Sequence, residues 1–166
     1  MNAPAGSTQE LPREGGAFPD IALPAPELPG DREYLGVSGD SFSLSEVDAE
    51  LILLEIIGVY CPQCHRQAPL FNRLTNRLHR SEATAGRVKV LAFASGATPM
   101  EMEYLRTQFQ ATYPLVYEPD FTIHKKLGEP LTPFTMLIRD GTVVYDHLGV
   151  IEDMNALYTR IVSLLP

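Results

Sequence analysis

The sequence predicts an α/β domain with a mixed central sheet and helices on both of its faces. Three observations carry this. Leu51 to Ile57 is continuously apolar apart from Glu55, as a central strand covered on both sides requires. Beyond it, apolar runs of strand length alternate with segments whose apolar residues recur at helical spacing. Asp140-Gly141 separates two strand-like runs, Phe134 to Ile138 and Thr142 to Leu148, and so marks a β-hairpin.

Taken in order, residues 1–16 are polar and rich in Gly and Pro, and are expected to form a disordered lead-in to a domain spanning residues 17–166. The apolar–proline segment Phe18 to Pro24 is expected along the domain surface, and Ser41 to Asp48 reads as a short strand followed by a turn of helix. After the central strand, Leu70, Phe71, Leu74 and Leu78 fall on one helical face. Val88 to Ala94 reads as a second buried strand. Thr98-Pro99-Met100-Glu101 has capping-box spacing with Pro at the first helical position, and Met102, Leu105 and Phe109 give that helix an apolar face. Leu115 to Tyr117 reads as a strand and Phe121 to Leu127 as a short helix. Met154, Leu157, Ile161 and Leu164 pattern a final helix. From Leu51 the order is therefore β-α-β-α-β-α-β-β-α, with right-handed crossovers expected.

Composition bounds the function. The chain has 166 residues, enough for one domain with a single sizeable core. Its formal net charge of −8 argues against a nucleic-acid partner, which selects a basic surface. No apolar run reaches the roughly 18–20 residues that cross a bilayer. The longest, Leu51 to Tyr60, is strand-sized and interrupted by Glu55. Met1 to Gln9 lacks a basic region followed by an apolar one, so no signal peptide is expected in the sequence as written.

The 2 cysteines, Cys61 and Cys64, are three positions apart, which marks a site and not a disulfide framework. Cys61-Pro62-Gln63-Cys64 follows the buried strand directly and opens the amphipathic helix. A helix N-terminus presents unpaired N–H groups and a positive dipole end, both of which stabilise a thiolate. Cys61, nearer the helix start, is therefore the expected attacking thiolate. Cys64, one turn on, is expected to resolve the mixed disulfide.

Two other uses of the motif are open at this point. Zinc would need about two further ligands, and His79, His124 and His147 show no paired-ligand spacing. Cys61-x-x-Cys64-His65 also matches the pattern of c-type haem attachment. The strand before it and the hairpin after it are an unusual setting for a small cytochrome, so His65 is read as a residue flanking a redox pair.

These residues resemble the thioredoxin superfamily, in particular its TlpA/ResA-type branch of extracytoplasmic thiol–disulfide proteins. The resemblance covers about residues 17 to 165 and rests on Phe18-Pro19-Asp20, the Cys-Pro-Gln-Cys motif, and Pro69 five residues beyond Cys64. Thr112 to Asp120 and Leu131-Thr132-Pro133 complete it. It implies a thioredoxin-like fold and a thiol–disulfide oxidoreductase working through a Cys61–Cys64 disulfide. No organic cofactor or metal is implied. The implied partners are protein thiol or disulfide substrates and a redox-recycling partner, with no nucleic acid and no transmembrane segment. A monomer in the periplasm or another extracytoplasmic compartment is expected.

Residue by residue, the resemblance makes Pro133 the family's cis-proline and Thr132 the backbone that pairs with an extended substrate segment. Tyr60, Pro62 and Gln63 are further substrate-contact candidates. Glu55, six residues before Cys61, matches the family's buried acid; desolvation there would raise its pKa and suit it to relay the Cys64 proton. A strand-end glutamate turned to solvent is the alternative. The sequence departs from the pattern at Gln67, where many relatives carry Glu, and at Tyr60, where thioredoxins usually carry Trp. Pro69 is read as a kink within the helix. A peroxiredoxin shares the fold, but its Pro-x-x-x-Thr/Ser-x-x-Cys setting fits neither cysteine: Gly58 and Leu54 precede Cys61, and Cys61 and Ile57 precede Cys64. A binding module with a merely stabilising disulfide is the non-enzymatic alternative.

Overall fold

The computed structural model describes residues 10–166. Its main sheet has five strands in the order β5-β4-β3-β6-β7. These are β3 (Leu51–Gly58), β4 (Val88–Ser95), β5 (Leu115–Glu118), β6 (Phe134–Arg139) and β7 (Thr142–Leu148). The β3–β4 and β4–β5 pairs are parallel, whereas β6 runs antiparallel to both β3 and β7. Parallel neighbours need long crossovers, which the helices α2 (Pro62–Arg80) and α3 (Pro99–Phe109) supply. The antiparallel pair β6–β7 needs only a tight turn. Asp140 and Gly141 make it at φ 49° and 78°, the two positive values of a type I′ turn.

Side chains of a strand alternate between faces, and β3 divides the core accordingly. Leu51, Leu53 and Ile57 join one apolar cluster with Cys64, Phe71 and Leu78 of α2, Met102 and Leu105 of α3, and Leu157 and Ile161 of α5 (Met154–Leu164). Ile52, Leu54 and Ile56 join the other, with Leu35, Phe42, Ile123 and Leu127. The helices on that second face are α1 (Pro29–Leu35) and α4 (Thr122–Lys126), accompanied by a small β1–β2 sheet (Leu23–Pro24, Ser41–Phe42). The expected mixed sheet with helices on both faces is the observed one, and the expected element order from Leu51 onward holds throughout.

The N-terminal third differs from expectation. Of the lead-in expected to be disordered through Gly16, residues 1–9 lie outside the described residues, but residues 10–16 are placed against the free edge of β7. The Gly15 N–H donates to Val143 O at 2.8 Å, Ala17 bridges Thr142, and Arg13 pairs with Asp146 at 2.9 Å. An edge strand carries unpaired backbone groups, and this polar, glycine-containing segment satisfies some of them. Phe18, Ile21 and Leu23 are buried in the second cluster and do not lie on the surface. Helix α1 was not legible in advance: its seven residues include Pro, Gly and three charges and carry no helical apolar stripe. No helix of the described residues is long and apolar enough to cross a membrane.

Candidate active site

Strand β3 ends at Gly58, and the chain turns through Val59 and Tyr60 into α2. Cys61 is the N-cap of α2, with extended backbone at φ −92° and ψ 106°, and Pro62 occupies the first helical turn. Pro suits that position because its missing N–H would find no intrahelical acceptor there. Cys61 is joined to Cys64 in a disulfide whose Cα atoms are 5.2 Å apart. The Cys64 N–H donates to Cys61 Sγ at 3.1 Å. Cys61 is half-buried, and Cys64 is fully buried in the cluster between α2 and the sheet. Attack from solvent can therefore reach only the Cys61 sulfur.

Thr132 and Pro133, at the start of β6, stand across from the disulfide. The Thr132–Pro133 peptide bond is cis. Cys61 Sγ lies 3.5 Å from Thr132 O, a packing contact, because a disulfide sulfur has no proton to donate. Thr132 is half-buried and Pro133 buried, whereas Leu131 beside them is 75% exposed. On the other side of the motif, Pro62 and Gln63 are exposed and Tyr60 is 74% exposed. The Tyr60 ring lies 6.3 Å from that of Tyr104, and the neighbouring Glu101 carboxylate is the main cause of its raised phenol pKa. Cys61, Cys64, Thr132, Pro133, Tyr60, Pro62 and Gln63 are thus gathered at one end of the sheet.

Glu55 lies deeper. It pairs with Thr135 of β6 and Ala92 of β4, and it is fully buried, which excludes a solvated strand-end charge. Its Oε2 accepts a hydrogen bond from Gln67 Nε2 at 2.6 Å, while its Oε1 has no hydrogen-bond partner among the described residues. Burial pushes the carboxyl up to about 7, with the Gln67 hydrogen bond acting in the opposite direction. Tyr113, also buried, has its phenol pKa raised by desolvation and then by the Glu55 charge.

His65 is committed elsewhere. Its Nε2 donates to Val59 O at 2.8 Å, and its ring meets Phe109 edge-on at 5.0 Å. Pro69 sits inside α2, where it leaves the His65 carbonyl without its usual helical donor. Sequence reasoning treated Gln67 only as a departure from a pattern. The signal available was its place three residues beyond Cys64, on the same buried face of the helix.

No protein-family model matches the chain. Among curated proteins it is similar to the thiol-disulfide oxidoreductase ResA of Halalkalibacterium halodurans, 24% identical over 114 residues, or 68% of this chain and 62% of that protein. The aligned stretch therefore spans less than two thirds of that relative's length. Among solved structures it is similar to a Chlorobium tepidum protein named as the thiol:disulfide interchange protein DsbE, with a TM-score of 0.71 at 21% identity over 93% of this chain and 99% of the other. A secreted Mycobacterium tuberculosis disulfide oxidoreductase, described as homologous to E. coli DsbE, gives a TM-score of 0.62 at 16% identity over 87% and 96% of the two chains. The chain therefore has the thioredoxin-like fold of these solved structures, and its sequence is similar to that of ResA.

Proposed function

We propose that the chain is a thiol–disulfide oxidoreductase that exchanges the Cys61–Cys64 pair with disulfides or dithiols of protein substrates. The observation that carries this reading is the position of Cys61 Sγ: at a helix N-cap, bonded to the Cys64 N–H at 3.1 Å, accessible to solvent, and 3.5 Å from the Thr132 carbonyl. A thiolate there is stabilised by the same N–H and by the helix dipole.

In the reducing direction, the Cys61 thiolate attacks one sulfur of a substrate disulfide, forming a mixed disulfide and releasing the other substrate sulfur as a thiolate. Cys64 then gives its proton to the Glu55 carboxylate and attacks Cys61 Sγ. The second substrate sulfur leaves as a thiolate, and two electrons have passed from the protein dithiol to the substrate. The oxidising direction is the same sequence reversed. A group with pKa near 7 is matched to this proton transfer, and burial brings Glu55 there.

The exchange closes on two sulfurs and one carboxyl, and so calls for no organic cofactor or metal. Thr132 and Pro133 serve the substrate segment through backbone, with Tyr60, Pro62 and Gln63 as the exposed contacts around it. The partners are folded or extended proteins with accessible disulfides and a thiol partner that resets the pair. The net charge of −8 disfavours nucleic acid. The protein works as a monomer in an extracytoplasmic compartment. The secreted M. tuberculosis neighbour supports that placement by analogy of fold. Dithiothreitol-driven reduction of a test protein disulfide tests the proposal: wild type is expected to accelerate it, and Cys61→Ser to fall to the uncatalysed rate. Equal rates with both proteins would refute it.

A further inference from the structure

The Gln67 side chain is fully buried and makes two hydrogen bonds of opposite polarity. Its Oε1 accepts the Ile151 N–H at 2.7 Å, and its Nε2 donates to Glu55 Oε2 at 2.6 Å. The two bonds are not independent. A backbone N–H can only donate, so Ile151 fixes which end of the Gln67 amide is the oxygen and leaves the NH2 to face Glu55. We propose that Gln67 is a positioning residue: oriented by the Ile151 N–H, it holds the Glu55 carboxyl by a donated hydrogen bond in the place from which that carboxyl serves Cys64.

Among the described residues, no other side chain is placed for this task. On the face that carries Glu55, α2 presents Cys64 and Gln67 one turn apart. Neighbouring β6 presents Thr135, and β4 presents Ala92. α3 contributes Met102, Leu105 and Phe109, and α5 contributes Leu157 and Ile161. Tyr113, ahead of β5, is the other titratable group, and among the described residues neither its hydroxyl nor that of Thr135 has a hydrogen-bond partner. Among the described residues, Gln67 is therefore the one side chain hydrogen-bonded to Glu55. A donor to the carboxyl favours its ionised form, which must be reachable if Glu55 is to take a proton from Cys64.

The loop from Gly149 to Asp153, which supplies the Ile151 N–H, is itself tied down on both sides. The Gly149 N–H donates to Pro133 O at 2.8 Å, and Glu152 pairs with Arg66, the neighbour of Gln67 on α2. The loop thus connects the proline facing the disulfide to the amide that holds Glu55.

The inference rests on the role proposed for Glu55, and its test separates the two. In wild type, the Gln67 side-chain amide signals are followed by nitrogen-15 NMR while the Glu55 carboxyl is titrated by carbon-13 NMR. The Gln67 signals are expected to shift with the Glu55 midpoint. In Gln67→Met, of similar size but without a donor, the Glu55 midpoint is expected to rise by about half a pH unit or more, roughly threefold in proton affinity. Gln67→Glu keeps an acceptor for Ile151 but loses the amide donor, and its Glu55 titration is expected to become two-step as two carboxyls share a proton. An unchanged Glu55 midpoint in folded Gln67→Met overturns the inference. Where that variant does not fold, Gln67 signals that stay flat through the wild-type titration overturn it instead. A Glu55 midpoint that moves while the pH profile of thiol exchange stays put upholds the hold of Gln67 on Glu55 and removes only the relay.

Discussion

Cys61 Sγ accepts the Cys64 N–H as an oxygen does at other helix starts. In α3 the Thr98 hydroxyl accepts the Glu101 N–H at 3.2 Å, and in α5 the Asp153 carboxylate accepts the Ala156 N–H at 2.9 Å. In α2 the Cys61 sulfur accepts the Cys64 N–H at 3.1 Å. The atom proposed to attack is therefore also the cap of its helix. Capping and thiolate stabilisation are one interaction, because an N–H aimed at sulfur is worth more when the sulfur is charged.

The two thiols of the reduced protein are accordingly expected to differ. Alkylation near neutral pH is expected to label Cys61 about 10-fold or more faster than Cys64, the effect of about one unit of pKa together with burial of Cys64. Cys64→Ser is expected to accumulate mixed disulfides with substrate, and Cys61→Ser to accumulate none. Mass spectrometry of the labelled and trapped species checks both. Equal labelling, or trapping by the wrong variant, contradicts the assignment.

The buried carboxyl gives stability a definite pH slope. Glu55 titrates from about 7 in the folded protein against an ordinary value of 4.5, so between these values the folded state binds the proton more tightly. Its burial is tolerated while it is protonated, below about pH 4.5, and costs increasingly as pH rises toward 7. Denaturant unfolding of wild type and Glu55→Gln across this range is expected to show wild type losing stability relative to the variant as pH rises. A difference that does not vary with pH would remove the raised pKa.

Kinetics test the same residue for function. Glu55→Gln is expected to slow resolution of the mixed disulfide by about a hundredfold, the low end of general acid–base contributions. Its pH dependence is expected to flatten between about pH 5 and 9. Stopped-flow measurement of the resolving step checks this. Wild-type kinetics in the variant at every pH would leave Glu55 with no part in the reaction.

Metal and haem readings of the motif predict a different protein. The purified chain is expected to be colourless and to bind zinc below one equivalent by metal analysis. A covalent Soret-absorbing species from cells equipped to attach haem would overturn the exchange mechanism, as would tightly held stoichiometric zinc. His65 Nε2 is held by the Val59 carbonyl, so that nitrogen is not free to ligate haem iron.

The parts of this architecture that the sequence made legible are those in which local chemistry and tertiary demand agree. Leu51 to Ile57 is apolar because both of its faces are covered, and Asp140-Gly141 turns because both residues accept positive φ. The cysteines were legible from their spacing and from the strand before them. What was not legible depends on distant partners. The segment 10–16 reads as lead-in by composition, yet the free edge of β7 orders it. Helix α1 lacks an apolar stripe and buries only Leu35. Gln67 acquires its significance from Ile151, 84 residues away, and no local pattern could announce that contact.

The central claim is that the Cys61–Cys64 disulfide is a reactant and not a brace. Its reduction potential, measured by equilibration with glutathione and dithiothreitol buffers and quantified by thiol labelling, tests this most directly. The account predicts a single reversible two-electron transition giving two thiols per chain, at a potential within reach of these buffers and above the roughly −300 mV below which structural disulfides lie. A disulfide that resists mild reductant, or that yields only when the protein is unfolded, would contradict it and leave a thioredoxin-fold binding module held by a structural bond.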